Sequence, residues 1–486
     1  MLRGVVAGAT VGIALFCVTI AGAWTQRDTV DSRLATGPFE TAFLDPGAFQ
    51  QAGAPLALGR VTGAGATSVM LVLYWFTVAP YEARPASFDA TNPADPAYRW
   101  DSFDQAVRAA SAAGLQPIVQ VYGAPLWAQR PGAGRATTVR PDPTALAQFA
   151  RAAATRYSGR FGGLPRIRRW QVWNEPNLSY FVSPQYANGA AVSPEWYRAM
   201  VNAFATAVHA VDPSNVVIAG GTFPFGGPGS DVYPLQFMRE MLCMSGAAEP
   251  KPTCNQRAQF DVWAHHPYTQ GGPTHRAVNP DGVSLGDLPK MRRMLESAVS
   301  AGHIVTRRRL QFWVTEFSWE SKPPDPEGVP AQLQARWVAE GLYRMWQAGV
   351  SLVTRFLVRD DPLATSSFQS GLYYYDGPGG RYSRPKPALA AFRFPFVAFP
   401  SRGRVFVWGR TPAGRRENVI VERSTGRSPW TRVVVLPTDR SGIFTRRVIA
   451  PPTGSLRARL VGGGPAAVPF ALKAPPNVTL TSVFGK

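Results

Sequence analysis

The chain has few cysteines, few histidines and no internal repeat. Three of its 486 residues are cysteine and five are histidine, so a multi-histidine metal site is hard to assemble and we expect no metal and no cofactor. Without repeats of 20 to 50 residues, a solenoid or a propeller is excluded. Apolar residues make up 45% of the chain and aromatic residues 12%, enough for a substantial core. We therefore predict a globular protein with one large domain and a smaller one, or three ordinary domains.

Negative charge and lysine are also scarce. The chain carries 51 basic and 31 acidic residues, a net charge of +20, and 45 of the basic residues are arginine. Because the arginines are dispersed and accompany no nucleic-acid-binding motif, we do not expect a nucleic-acid partner. Residues 401–486, however, include 15 basic and three acidic residues, an excess of +12. This part of the chain is a candidate for contact with an anionic cell envelope or lipid.

The N-terminus contains a long uncharged apolar stretch. Arg3 precedes apolar residues from Val5 to Trp24, and Ala21 and Ala23 form an A-x-A-like cleavage site. About 20 apolar residues also suffice to span a bilayer. Residues 1–24 are thus either a removed signal peptide or a single membrane anchor, and we predict a secreted or cell-envelope protein.

Two cysteines remain beyond the export segment. Cys243 and Cys254 would close a short loop, and in an oxidising compartment we expect them to form a disulfide bond. Two free thiols are the alternative. A metal pair is disfavoured because no further cysteine and no nearby histidine is available.

Apolar runs alternate with amphipathic segments over most of the chain, which is the pattern of repeated βα units. Strands are predicted at residues 39–45, 68–76, 116–123, 167–175, 215–223, 260–268, 310–319 and 351–360, and helices between them at 102–114, 143–159, 193–211, 288–302 and 330–349. Eight such units favour a (β/α)8 TIM barrel over residues 35–398. A doubly wound sheet is the alternative, but the first βα turn lacks a glycine-rich phosphate-binding sequence.

The last part of the sequence changes to a period of two. Alternating apolar residues at 403–411, 417–424, 431–439, 443–451 and 455–463 predict antiparallel strands. We expect residues 401–486 to form a small C-terminal antiparallel β domain, similar to a sandwich.

Polar residues follow three of the predicted barrel strands. Asn174 and Glu175 follow the fourth strand, His266 and Tyr268 end the sixth, and Glu316 ends the seventh. In a (β/α)8 barrel these strand ends meet at one mouth. Two carboxylates facing one opening are what the hydrolysis of a glycosidic bond requires.

These segments carry a resemblance to a known family. The WNEPN segment, HxY at the sixth strand and TEFSW at the seventh resemble the retaining glycoside hydrolases of the 4/7 superfamily (clan A), and within that clan the chain is most similar to family 39-like enzymes. The resemblance implies that Glu175 is the acid/base, that Glu316 is the nucleophile and that Asn174 binds the sugar 2-hydroxyl. It also implies that His266 contacts the sugar and that the Tyr268 hydroxyl orients Glu316.

Other features bear on the substrate site. His265 is expected to pack outward because side chains alternate along a strand. Sugar rings stack on aromatic side chains, and the aromatic candidates are Tyr122, Trp127 and Trp319. Many members of the clan have an arginine after an early strand and a tryptophan at the eighth; this chain has neither, so Arg359 or Asp360 would face the substrate instead.

We therefore expect an exported retaining glycoside hydrolase that cleaves β-glycosidic bonds of an extracellular or cell-envelope polysaccharide. Catalysis requires Glu175 to be protonated near neutral pH, and we expect an apolar wall and the neighbouring charge of Glu316 to raise its pKa. Three alternatives stay open: a metal-dependent hydrolase, a non-catalytic polysaccharide-binding or scaffold protein, and two carboxylates that merely form buried salt bridges.

Overall fold

The computed structural model describes residue 34 and residues 38–50, 53–130, 137–377, 383–426 and 428–483. The predicted signal peptide or anchor, residues 1–24, lies outside these residues. Among the residues that the structure describes, no helix is long and apolar enough to cross a membrane.

Eight parallel strands close into a barrel, as the βα pattern predicts. Each strand pairs with its neighbours in chain order, and the last pairs with the first. The strands are β1 Glu40–Leu44, β2 Ser68–Tyr74, β3 Gln116–Tyr122, β4 Arg169–Val172, β5 Val216–Thr222, β6 Val262–His265, β7 Gln311–Val314 and β8 Val350–Phe356.

Helices surround this barrel and begin at the sequence signals expected of them. Asp142, for example, caps α5 by accepting a hydrogen bond from Ala145 N, and Pro143 opens the first turn. The helices are α1 Pro46–Phe49, α2 Ala54–Gly63, α3 Trp75–Val78, α4 Asp101–Ala112, α5 Pro143–Arg156, α6 Ser193–Val211, α7 Pro234–Met241, α8 Leu288–Ser300, α9 Ala331–Gln347 and α10 Pro387–Arg393. The five predicted helices are α4, α5, α6, α8 and α9.

The barrel contains two separate layers of packing. Inside it, aliphatic side chains and Trp313 form a small closed cluster, and a larger cluster fills the space between strands and helices. The inner cluster ends in the partly exposed rings of Tyr74, Tyr122 and Phe356, the last residues of β2, β3 and β8. These rings mark the mouth of the barrel, where active sites of this fold lie.

The C-terminal domain consists of antiparallel strands in two sheets. They are β9 Phe396–Ser401, β10 Arg404–Arg410, β11 Asn418–Ser424, β12 Thr431–Pro437, β13 Ile443–Val448, β14 Ser455–Leu460 and β15 Phe470–Ala471. One sheet has the order β9-β10-β13 and the other β12-β11-β14-β15. A TIM barrel followed by a β domain is thus confirmed. The first strand of the β domain begins at Phe396, before the start that we expected at residue 401.

Aromatic side chains join the two parts of the chain. Tyr343 of α9 packs on Phe399, Phe406 and Trp408, with ring centroids 5.5 to 5.7 Å apart. The tail after β15 also returns to the barrel, where Leu480 N donates to Gln270 O at 2.8 Å. Burial of this apolar area fixes the β domain beside the barrel.

The predicted disulfide bond is present. Cys243 and Cys254 are joined, and they close the loop that follows α7. The two cysteines are 11 residues apart in sequence, so the bond constrains a short loop.

Candidate active site

The end of β4 presents Glu175 at the mouth. After Val172 the chain leaves extended geometry, and Trp173 and Glu175 adopt positive φ angles of 67° and 37°. Such backbone is uncommon for residues other than glycine and clusters at functional sites. It is held from both sides, because Trp173 N donates to Val121 O at 2.8 Å and Glu175 N donates to Gly221 O at 3.1 Å. Glu175 is therefore fixed between β3 and β5.

Asn177, the last residue of WNEPN, anchors this turn from behind. Its side-chain oxygen accepts from Phe223 N at 2.8 Å, and its amide donates to Val232 O at 3.0 Å. The residue is fully buried, so it supports the turn and does not reach a substrate. The sequence does not reveal this supporting role, because the hydrogen-bond partners of Asn177 lie in the loop after β5.

Glu316 follows β7 and faces the same opening. The hydroxyl of Tyr268 donates to Glu316 Oε2 at 3.0 Å, the contact that the resemblance implies. One carboxylate oxygen of Glu175 and one of Glu316 lie within 4.8 Å of each other. The fold thus brings together two acids that are far apart in sequence.

His266 lies between the two acids. Its Nδ1 is 2.8 Å from Glu175 Oε1 and 3.8 Å from Glu316 Oε1, and its Nε2 is 3.1 Å from Thr315 Oγ1. The side chain has no exposed surface. His266 is therefore placed to position the acids, which corrects the expectation that it contacts sugar directly. His265 points away from them and is bonded to Thr222 Oγ1 and Val283 O.

Asn174 lies beside the acids and is held by a residue that sequence reasoning missed. Gln120 Nε2 donates to Asn174 Oδ1 at 2.8 Å, and both residues are buried. Because Asn174 Oδ1 accepts this bond, the Nδ2 group of Asn174 is the part of the amide that can donate to a sugar hydroxyl. Gln120 lies within the inward-facing pattern of β3, but its partner could not be read from the sequence.

Burial sets the protonation of the two acids. Desolvation raises the pKa of Glu175 from 4.5 to about 8. Desolvation also raises the pKa of Glu316, to about 7; the Glu175 charge adds to this rise, while His266 and the Tyr268 hydroxyl oppose it. Desolvation is the cause of the raised pKa of Glu175, whereas the expected repulsion between the acids raises the pKa of Glu316. Burial thus raises the pKa of both acids, and that of Glu175 more, which favours Glu175 as the member of the pair that keeps its proton.

Two of the three aromatic candidates lie near the mouth. Tyr122 contacts Tyr74 with ring centroids 5.1 Å apart, and both rings lie over the barrel interior. Trp127 is half-buried, donates from Nε1 to Pro80 O at 2.7 Å and packs edge-on against Trp75. Tyr122 is thus the better placed of the two to contact a sugar.

Trp319 is not available to a sugar, contrary to expectation. It is 1% exposed, donates from Nε1 to Gly271 O at 2.9 Å and packs between Phe317 and Trp337. The chain turns outward after Glu316, so this ring fills the layer between β7 and α9.

The expectation that Asp360 faces the substrate is also wrong. Asp360 forms a fully buried ion pair with Lys386 at 2.6 Å, and Arg359 donates to Gly377 O. Phe356, the last residue of β8, lies over the barrel interior instead. The signal for it was present in the sequence, since it ends the strand at an inward position.

Glu175, His266 and Glu316 also form a group that could hold a metal ion. In the structure, however, Glu175 is engaged by His266, and Tyr268 donates to Glu316. Each acid therefore has a hydrogen-bond partner from a protein side chain, an arrangement that suits acid/base groups.

Comparisons with known proteins agree with this fold. No family model and no curated protein sequence matches the chain. The structure is similar to that of a family 39 glycoside hydrolase from the gut symbiont Bacteroides cellulosilyticus WH2, with a TM-score of 0.50 and 16% sequence identity over 86% of this chain and 82% of that one. At such identity the match shows a shared fold, and the fold expected from the resemblance is confirmed.

Weaker structural matches include two other proteins. A β-glucosidase from Exiguobacterium marinum has a TM-score of 0.43 and 11% identity, over 69% of this chain and 84% of that one. A β-glucuronidase from Bacteroides uniformis has a TM-score of 0.42 and 11% identity over 91% of this chain. The match spans about half of that β-glucuronidase, 46% of its length.

Proposed function

We propose that the protein is an exported retaining glycoside hydrolase that cleaves β-glycosidic bonds of an extracellular or cell-envelope polysaccharide. The observation that carries the proposal is the pair Glu175 and Glu316, whose carboxylate oxygens lie within 4.8 Å at the mouth of a (β/α)8 barrel. Each acid has its own buried partner, His266 for Glu175 and Tyr268 for Glu316.

In the first step Glu316 attacks the anomeric carbon while Glu175 donates its proton to the leaving oxygen. The glycosidic C–O bond breaks, an ester forms between the sugar and Glu316, and the leaving group departs as an alcohol. The raised pKa of Glu175, about 8, supports this role because a buried carboxylic acid keeps its proton near neutral pH. The hydroxyl of Tyr268 holds the attacking carboxylate in place.

In the second step Glu175 acts as the base. Once Glu316 is esterified, its negative charge is gone, and the ionised Glu175 takes a proton from water as that water attacks the anomeric carbon. The ester bond breaks, Glu316 leaves as a carboxylate and the sugar keeps its original configuration.

The spacing of the two acids supports retention. Retaining enzymes hold their carboxyl groups about 5 to 5.5 Å apart, and inverting enzymes hold them about 6.5 to 9.5 Å apart to admit a water. The closest oxygens of Glu175 and Glu316 lie within 4.8 Å of each other, which is consistent with the shorter, retaining spacing.

Export and the nature of the substrate rest on other observations. The apolar residues 5–24 and the disulfide bond between Cys243 and Cys254 both suit an oxidising compartment outside the cytoplasm. The excess of +12 in residues 401–486 suits a location at an anionic envelope or lipid surface.

The test separates the roles of the two acids. Purified protein is assayed on a panel of β-linked glycans and on 4-nitrophenyl β-glycosides, alongside Glu175→Gln and Glu316→Gln. We expect Glu316→Gln to lose activity on every substrate. Glu175→Gln should keep more of its activity on the aryl glycosides, because a good leaving group needs no proton.

Two results would contradict the proposal. If the wild type cleaves a glycan and both variants keep its rate, the acids are misassigned. NMR reports the anomeric configuration of the first product, and an inverted configuration would exclude double displacement. Rates unchanged after treatment with EDTA would separate this chemistry from that of a metal-dependent hydrolase.

A further inference from the structure

One face of the C-terminal domain carries arginines that the proposed reaction does not use. On the outer side of the sheet β12-β11-β14-β15, Glu422 lies opposite Arg432 of β12 and Arg457 of β14. Arg459 lies two residues further along β14 and therefore on the same side of the sheet. We call the group Trp430, Arg432, Glu422, Arg457 and Arg459 the arginine face.

A single buried acid organises this face. Glu422 accepts from Arg457 Nε at 2.8 Å and from Arg459 Nη2 at 3.0 Å. Its side chain is 8% exposed, whereas those of Arg457 and Arg459 are 25% and 34% exposed. The carboxylate thus lies beneath the guanidinium groups and holds them in fixed positions at the surface. Three positive charges against one negative leave the face positive.

The composition of the face suits a polymer that carries carboxylates. Guanidinium groups bind carboxylates through two parallel hydrogen bonds, with a geometry that lysine does not offer. Trp430 lies against the Arg457 guanidinium at 4.2 Å, which adds an aromatic surface of the kind on which sugar rings pack. Arginines that are already held in place lose less conformational entropy when they bind.

The same face is poorly suited to insertion into a membrane. Interfacial membrane binding needs a set of apolar side chains that enter the lipid. Among the described residues of this domain, the most exposed large apolar side chains are Ile449 and Val461, and both lie beyond the ends of their strands. Only Val435, which is 37% exposed, belongs to a strand of the four-stranded sheet.

We infer that the arginine face binds an anionic polysaccharide through its carboxylate groups, as a second carbohydrate site separate from the mouth of the barrel. Such a site would keep the enzyme on a charged polymer between cleavage events. Binding is measured without catalysis, so the inference stands or falls independently of the roles of Glu175 and Glu316.

The experiment compares two double variants of the full chain. Arg432→Gln/Arg459→Gln removes two charges from the face and leaves Arg457 paired with Glu422, so that the buried acid keeps a partner. Arg440→Gln/Arg446→Gln removes the same charge from two exposed positions outside the face. Affinity for polygalacturonate is measured at several salt concentrations, with dextran as the neutral polymer and thermal unfolding as the check on folding.

The expected result is a loss of roughly tenfold or more in affinity for polygalacturonate in the variant of the face, from two charge-assisted contacts. The matched variant should bind within about twofold of the wild type, and dextran should bind weakly to all three. An equal loss in both variants would overturn the inference in favour of bulk charge. The wild type is also tested on phosphatidylglycerol vesicles and on oligothymidine. If it binds one of these more tightly than polygalacturonate, and the variant of the face loses that binding, the face binds lipid or nucleic acid instead.

Discussion

His266 Nδ1 lies 2.8 Å from Glu175 Oε1 and 3.8 Å from Glu316 Oε1. Burial lowers the pKa of His266, so the imidazole is neutral and carries one proton. We assign that proton to Nε2, which then donates to Thr315 Oγ1 and leaves Nδ1 to accept from protonated Glu175. The histidine therefore stabilises the acid form of Glu175, and four predictions follow from this arrangement and its surroundings.

The pH profile of kcat/KM should be bell-shaped. Activity rises as Glu316 ionises through its pKa of about 7 and falls as Glu175 loses its proton above about 8. Because the two acids interact, the limbs report the pair as a whole. Glu175→Gln, assayed on an aryl glycoside, should lose the alkaline limb and keep the acidic one; an unchanged alkaline limb would mean that another group carries the proton.

Tyr268→Phe should move the acidic limb to higher pH. The hydroxyl opposes the rise in the pKa of Glu316, so its removal raises that pKa further and narrows the active range. A hydrogen bond to a charged group contributes about 1.5 to 3 kcal/mol, so kcat/KM should fall by about tenfold to a hundredfold.

The matched control is Tyr197→Phe. Tyr197 is also fully buried, but its hydroxyl donates to Val172 O at 2.7 Å and does not reach the acids. This variant should lower the unfolding temperature and leave both limbs of the pH profile in place. If it shifts the acidic limb as much as Tyr268→Phe does, the effect comes from general loosening.

Thr315→Val should weaken catalysis although the new side chain has nearly the same shape. It removes the acceptor for His266 Nε2–H, which favours the tautomer with the proton on Nδ1 and lowers the pKa of Glu175. We expect kcat/KM to fall roughly tenfold and the alkaline limb to move to lower pH. Thr315→Ser keeps the hydroxyl and should retain most of the activity. Equal loss in both variants would mean that the hydrogen bond between His266 and residue 315 does not control Glu175.

Trp319→Ala and Tyr122→Ala should differ in kind. Trp319 is enclosed between Phe317 and Trp337, so truncation should lower the free energy of unfolding by about 3 to 5 kcal/mol. Tyr122 is half-buried at the mouth, and its truncation should raise KM by more than it lowers stability. Urea titration measures the stability and steady-state kinetics measure KM. If Trp319→Ala is as stable as the wild type and has a raised KM, Trp319 contacts the substrate after all.

The sequence alone determined much of the fold, because periodicity is a local signal. Alternating apolar runs and capped helices indicate βα units wherever the chain later places them, as the match of α6 to residues 193–211 illustrates. The order of the strands then brings Glu175 and Glu316 to one mouth, since the carboxyl ends of parallel barrel strands meet there.

Only the tertiary structure decided what surrounds each acid. That Gln120 reaches Asn174, that Thr315 supports His266 and that Trp319 turns into the helix layer all depend on contacts between distant segments. The raised pKa of Glu175 is of the same kind, because desolvation is the sum of everything that packs around a group. The sequence identified the two carboxylates as candidates, whereas the packing around them raises the pKa of Glu175 more than that of Glu316.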